Sequence, residues 1–212
     1  MYVGRRMITG LITVSPGDTV LRARQLMKEH RIQHLPVVSG GELAGIVTGT
    51  DVQAEALERA TARAGGEDAE KERKVEEIMT HPVVTVSPWD TIEDALLILH
   101  KRRFGALPVV EGRRLVGIIT KADVLAAFID TLRIEGVGGV RIEVILPGAA
   151  DDLVRLIRTL ADMRIEIRSL VLSPFREDFV AFLRIGTIDV ANVKNRIRES
   201  GFRVPELKDF LG

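Results

Sequence analysis

No cysteine occurs among the 212 residues, so disulfides and thiolate metal sites are excluded and the redox compartment is left open. Net charge is also missing: 30 basic residues face 30 acidic ones, and no global field draws in nucleic acid or another polyanion. Aromatic residues are few, and the pairs Arg102-Arg103 and Arg113-Arg114 have no interleaved aromatics of the kind that single-stranded nucleic acid stacks upon. No segment approaches the roughly 18 uninterrupted apolar residues of a membrane span. Arg5 and Arg6 are followed by no apolar stretch of secretory length, so a cytoplasmic protein without membrane attachment is expected. His30, His34, His81 and His100 fall outside zinc-like spacings, and no metal is expected.

What is present is a repeat. The run from Met7 through Thr13, Ser15-Pro16 and Thr19 aligns without a gap on Met79 through Thr85, Ser87-Pro88 and Thr91. Leu35-Pro36-Val37-Val38 recurs as Leu107 to Val110, and Gly45-Ile46-Val47-Thr48 with Asp51 recurs as Gly117 to Thr120 with Asp123. In each copy the Ser-Pro turn precedes apolar residues at helical spacing: Val20, Ala23, Leu26 and Met27, or Ile92, Ala95, Leu96 and Leu99. Two short β-branched runs follow, Leu35 to Val38 and Leu43 to Val47, with a hairpin turn at Ser39-Gly40-Gly41. A second helix is expected near Asp51. Each unit therefore reads strand, helix, strand, strand, helix, and the two should pack together to cover their apolar faces. The connector from Ala54 to Lys74 predicts an extended helix, a break at Gly65-Gly66 and a charged helical run.

The final third has another character. Alternation at Val140, Ile142, Val144 and Leu146 predicts a strand, and Asp151 or Asp152 is expected to cap a helix whose face carries Leu153, Leu156, Ile157 and Leu160. Strands at Ile165 to Leu172 and Phe179 to Ile185 flank a turn at 173–178. Asp189 caps a helix, and Gly201 to Val204 supplies a last strand. This βαββαβ order is the ferredoxin-like pattern. The domains expected are 1–78, a first motif with its charged connector; 79–133, a second motif; 134–139, a glycine-rich linker; and 140–212, an independent α+β module. The whole is of the α/β (α+β) class.

Chemically, each copy ends a strand on Thr-x-x-Asp at a helix mouth, Thr48 to Asp51 and Thr120 to Asp123. Free amides there favour an anion, and a carboxylate can accept from two ribose hydroxyls, so a nucleoside phosphate satisfies both. The bland alternative is that Asp51 and Asp123 are helix caps. No paired acid and base repeats with these residues, so no catalytic residue is assigned and an enzyme is not expected.

Ser-Pro-x-x-Thr, Leu-Pro-Val-Val and Gly-Ile-x-Thr-x-x-Asp, in this order, resemble the CBS motif, so residues 7 to 128 resemble a tandem CBS pair, or Bateman module. The resemblance implies binding of an adenosine derivative, with AMP, ADP, ATP or S-adenosylmethionine as the ligand and no required cofactor. It implies one cleft formed by Thr48, Thr50 and Asp51 with Val84 and Gly105-Ala106. A second would combine Thr120, Lys121 and Asp123 with Ile12 and Gln33-His34. Ala122 replaces the hydroxyl of Thr50, and Ala106 brings no charge, so the clefts are unequal. The final module, with its turn Pro147-Gly148-Ala149, resembles an ACT domain. Together the two parts are similar to the acetoin-utilisation regulator family. That implies a homodimeric sensor acting on an unidentified partner protein; a structural adaptor with vestigial clefts, or an amino-acid sensor acting through the ACT-like module, are the alternatives.

Overall fold

The computed structural model describes residues 1–64, 72–134 and 138–205, which form two compact units, Met1–Ala127 and Phe128–Gly212. In the first unit each repeat contributes a helix, a hairpin and a second helix. They are α1 (Val20–His30), β1 (His34–Ser39), β2 (Glu42–Thr48) and α2 (Gly49–Ala64), then α3 (Ile92–Lys101), β3 (Ala106–Glu111), β4 (Arg114–Thr120) and α4 (Lys121–Thr131). A single 3-10 turn precedes each set, at Val3–Arg5 and Val75–Glu77.

Local chemistry fixes the element ends. The Thr19 hydroxyl accepts from the Arg22 amide and starts α1, while Thr91 and Asp94 form a reciprocal capping box on α3. Val20, Ala23, Leu26 and Met27 are buried along α1, and Ile92, Ala95 and Leu99 along α3. Leu96, expected on the same face, is 39% exposed, because it lies beside the buried stripe rather than on it. Gly40 and Gly41, both with positive φ, make the two-residue turn between β1 and β2 that matches strand twist.

Among the described residues, no strand of more than one residue forms between the start of either repeat and its first helix. Val14 bridges Val37, and Val86 bridges Val109, each once and in parallel. The next residues leave the ladder because the Ser15 and Ser87 amides donate to the Asp18 and Asp90 carboxylates at 2.7 and 2.8 Å, and the prolines after them have no N–H. The connector forms helix through Ala64; the expected break at Gly65-Gly66 and most of the charged run lie outside the described residues.

The four strands are ordered β1-β2-β4-β3, so the two hairpins meet at β2 and β4. The join is narrow, with Glu42 opposite Arg114 and the Arg113 guanidinium 2.8 Å from Glu42. A stronger bond between the repeats comes from exchanged chain segments. The Ile8 amide donates to Ile118 O at 2.8 Å and the Ile118 amide returns to Ile8 O at 3.0 Å; Thr80 and Ile46 repeat the pattern at 2.8 and 3.2 Å. Val3 and Gly4 donate to Asp90 and Pro88, and Val75 and Glu76 donate to Asp18 and Pro16. Val75 consequently sits, fully buried, in the core of the first repeat with Leu35, Val37 and Val47. Each repeat is completed by the chain that precedes the other.

The second unit contains β5 (Val140–Leu146), α5 (Ala149–Asp162), β6 (Glu166–Phe175), β7 (Asp178–Gly186) and α6 (Val190–Glu199). Its antiparallel sheet is ordered β5-β7-β6, and Arg203 makes one antiparallel bridge to Ile145 on the outer side of β5. The expected last strand at Gly201 to Val204 is thus a single bridge. Ile142, Val144, Leu146, Leu183 and Ile185 pack on Leu156, Leu160, Val193 and Ile197. Ile157, expected in that face, is 38% exposed. Asp189 caps α6 by accepting from Asn192 N, whereas α5 starts at Ala149, ahead of either expected aspartate. The hairpin is longer than expected: Ser173 and Pro174 remain in the ladder, and the turn is Arg176-Glu177, with Arg176 at φ 58°. Pro174 is tolerated because β6 is an edge strand, whose outward face needs no donor.

Candidate functional site

The Thr-x-x-Asp segments fold into matching boxes at the starts of α2 and α4. Asp51 Oδ2 accepts from the Thr48 amide and hydroxyl, both at 2.7 Å, and the Asp51 amide donates to Thr48 Oγ1 at 3.4 Å. Asp123 and Thr120 repeat this at 2.8, 2.7 and 3.3 Å. The aspartates are therefore third residues of capping boxes, with the threonines as caps. One carboxylate oxygen is consumed in each box. The other has no hydrogen-bond partner among the described residues, so each box keeps an acceptor at a helix mouth.

Beside the first box lies a cavity of about 120 Å³, to which the second half of the expected set converges: Val84, Gly105 and Ala106 line it together with Thr48. Its wall also includes Ile46, Thr80, Phe104 and Pro108, which sequence reading did not single out. Thr80 faces Ile46 because the chain entering the second copy crosses to β2, a contact that no local spacing signals. The volume is below the roughly 300 Å³ usual for small-molecule sites. Thr50, one residue before Asp51, is exposed and does not line the cavity.

His34 is in this cavity, although the family resemblance implied a place with Thr120. It stands opposite Thr48 in the β1–β2 ladder, and its Nε2 occupies the space where a side chain on residue 105 would begin. An alanine there would put its Cβ against Nε2, so the absence of a side chain at Gly105 is what admits the ring. Burial holds the imidazole pKa below its ordinary value, with the Asp51 charge opposing that shift. Gln33 is likewise tied to the first box: its carbonyl accepts from Gly49 N at 2.9 Å and its side-chain oxygen lies over Gly49.

Around the second box, the Lys121 amide donates to Gly105 O at 3.1 Å, the counterpart of the Gly49–Gln33 bond. Lys121 and Ala122 are exposed, and Ile12 is half-buried at the position matching Val84. Among the described residues no cluster of three metal-ligating side chains is found, and no helix is long and apolar enough to cross a membrane. In the second unit, Asp152 Oδ2 accepts from Gly148 N at 2.7 Å, so the amide of the Pro147-Gly148 turn is already satisfied from within α5.

The CBS domain family model matches residues 3–58 and 75–130. The inosine-5'-monophosphate dehydrogenase of Korarchaeum cryptofilum is 40% identical over 119 residues, 56% of this chain but only 22% of the dehydrogenase. The CBS domain-containing protein YhcV of Bacillus subtilis is 37% identical over 117 residues, 55% of this chain and 78% of YhcV. Among solved structures, CBSX2 in complex with AMP aligns with a TM-score of 0.52 at 28% identity, covering 61% of this chain and 96% of that one. The CBS pair of Methanocaldococcus jannaschii MJ0100, in complex with 5′-methylthioadenosine and S-adenosyl-L-methionine, gives 0.50 at 30%, covering 60% and 95%. A Vibrio cholerae protein assigned to acetoin utilization gives 0.53 at 28%, covering 64% and 95%.

Proposed function

The chain belongs to the CBS domain family, and from that premise we propose that it is a regulatory sensor of adenine nucleotides or adenosine derivatives. The observation that carries the reading is the capping box at α2, with an unused carboxylate oxygen beside an apolar cavity. An adenine ring fits the apolar wall, and ribose hydroxyls can donate to the free oxygen of Asp51. The ligands of CBSX2 and of the MJ0100 pair, AMP, 5′-methylthioadenosine and S-adenosyl-L-methionine, support that ligand class. The part shared with the dehydrogenase is a fifth of that enzyme's length, so its catalysis is not carried over. Thr120, Lys121, Asp123 and Ile12 form the second cleft of the proposal, with Thr50 at the mouth of the first.

A ligand that bridges the repeats binds one arrangement of them better than another, and it shifts the population accordingly. We place the output in a homodimer, with the C-terminal unit as an ACT-type regulatory module, supported by its strand order. Nucleotide sensing is favoured over amino-acid sensing because the Gly148 amide is taken by Asp152. The test is calorimetric titration of the full chain with AMP, ATP and S-adenosylmethionine, with Asp51→Ala and Asp123→Ala as controls. Saturable heat is expected from the unaltered chain, and each variant should lose only the part that its own cleft contributes; no heat with any of the three overturns the reading.

A further inference from the structure

The two clefts are related by a constant offset of 72 residues, so they can be compared position by position. Where α4 opens with Lys121-Ala122-Asp123, α2 opens with Gly49-Thr50-Asp51. The residues lining the Thr48 cavity include no lysine or arginine, and its wall is apolar or hydroxylic apart from His34. A charge that does act on this lining is the negative one of Asp51, which accepts from the Thr48 amide and hydroxyl and whose field reaches His34.

Resting on the nucleotide-sensor reading above, we propose that the Thr48 cleft selects adenosine derivatives whose 5′ group is uncharged or positive, such as a thioether or sulfonium. His34 and Asp51 set that choice, and the Thr120 cleft, with Lys121, takes the phosphorylated ligand. A phosphate entering the first cleft brings about two negative charges toward a carboxylate with no cation in the lining to offset them. A sulfonium meets attraction instead, and a thioether meets neither penalty. His34 could supply the missing cation only when protonated, and burial opposes that.

The elements around the ring carry Asp51, Glu55, Glu58 and Arg59 on α2, Arg103 ahead of Phe104, and Lys121, Asp123 and Asp130 on α4. Of these, Asp51 is the one whose field acts on His34. Its attraction for a proton is outweighed by burial, so the ring stays neutral at pH 7 and the cleft stays negative. Lowering the pH charges the ring and cancels Asp51, which opens the cleft to phosphate.

The full chain carrying Asp123→Ala, with its second cleft disabled, is titrated with 5′-methylthioadenosine and with AMP. At about pH 7.5 the thioether should bind about tenfold more tightly or better, and the ratio should narrow as the pH is lowered through the titration of His34. AMP itself loses charge near pH 6, so Asp123→Ala with His34→Gln gives the baseline: its ratio should narrow less. The complementary Asp51→Ala chain should lose 5′-methylthioadenosine binding and keep AMP binding, which tests the same division if the first variant does not fold. AMP binding as tight as the thioether in Asp123→Ala overturns the division of ligands and leaves the sensor reading intact. Absence of binding by both compounds to the unaltered chain overturns both.

Discussion

The two repeats share one skeleton and differ where a ligand would touch them. Their capping boxes agree within 0.1 Å, both hairpins carry a register shift two residues before the strand end, and both exchange a segment with the other repeat. Yet Gln33 and His34 in one correspond to Gly105 and Ala106 in the other, and Gly49 corresponds to Lys121. Side-chain volume is shifted across the junction: a ring from the first repeat fills the space that glycine leaves in the second. The two copies share the backbone hydrogen bonds that hold the fold, while their cleft walls are chemically distinct.

That comparison can be broken in four ways. The largest effect is expected in the cores: Leu35 and Leu107 are both fully buried, so Leu35→Ala and Leu107→Ala should each cost about 2–5 kcal/mol by chemical denaturation. Equivalent repeats give similar losses, and a gap above about 1.5 kcal/mol would show that one repeat tolerates a cavity better than the other. Next are the close approaches at Gly45 and Gly117, where an added Cβ would meet the Sδ of Met79 or Met7 at 2.5 Å in both cases. Alanine at either should cost about 1–3 kcal/mol, and pairing Gly45→Ala with Met79→Ala should recover part of the loss in a double-mutant cycle.

The caps distinguish the repeats. Thr19 accepts one amide, whereas Thr91 belongs to a reciprocal box with Asp94, so Thr91→Ala should lower stability by more than Thr19→Ala, each by about 0.5–2 kcal/mol. Equal losses would mean that Asp94 adds nothing.

The smallest effect is the pH response of His34, which has no counterpart at Ala106. Burial lowers its folded pKa below about 6.5, so on acidification the unfolded chain takes up the proton first. The stabilisation is present above about pH 6.5 and is lost as pH falls from there through the folded value. Denaturation midpoints followed across that window should fall more steeply for the unaltered chain than for His34→Gln; parallel curves would remove His34 as the source.

Much of this molecule was legible as repeat and period. Thr19 and Thr91 marked helix starts, Gly40-Gly41 marked a hairpin, and alternation from Val140 to Leu146 marked β5, because each signal is carried by residues adjacent in the chain. The Thr48 box was legible for the same reason, since it is local, whereas Val84 and Gly105 were expected beside it only from the resemblance to the CBS motif. Pro174 misled because a proline reads as a turn unless its strand is known to be at an edge. The expected first strands shrank to single bridges because Asp18 and Asp90 compete for the amides that would extend them.

The sequence by itself determined the duplication, the class of both units and the Thr-x-x-Asp boxes, since these depend on spacings of a few residues or on comparison of one copy with the other. Only the tertiary structure decided which cleft His34 enters and that Val75 completes the core of the preceding repeat. Both depend on how exchanged segments cross between repeats and on which direction a side chain leaves a strand. Such facts arise from contacts between residues far apart in the chain, and no local spacing encodes them.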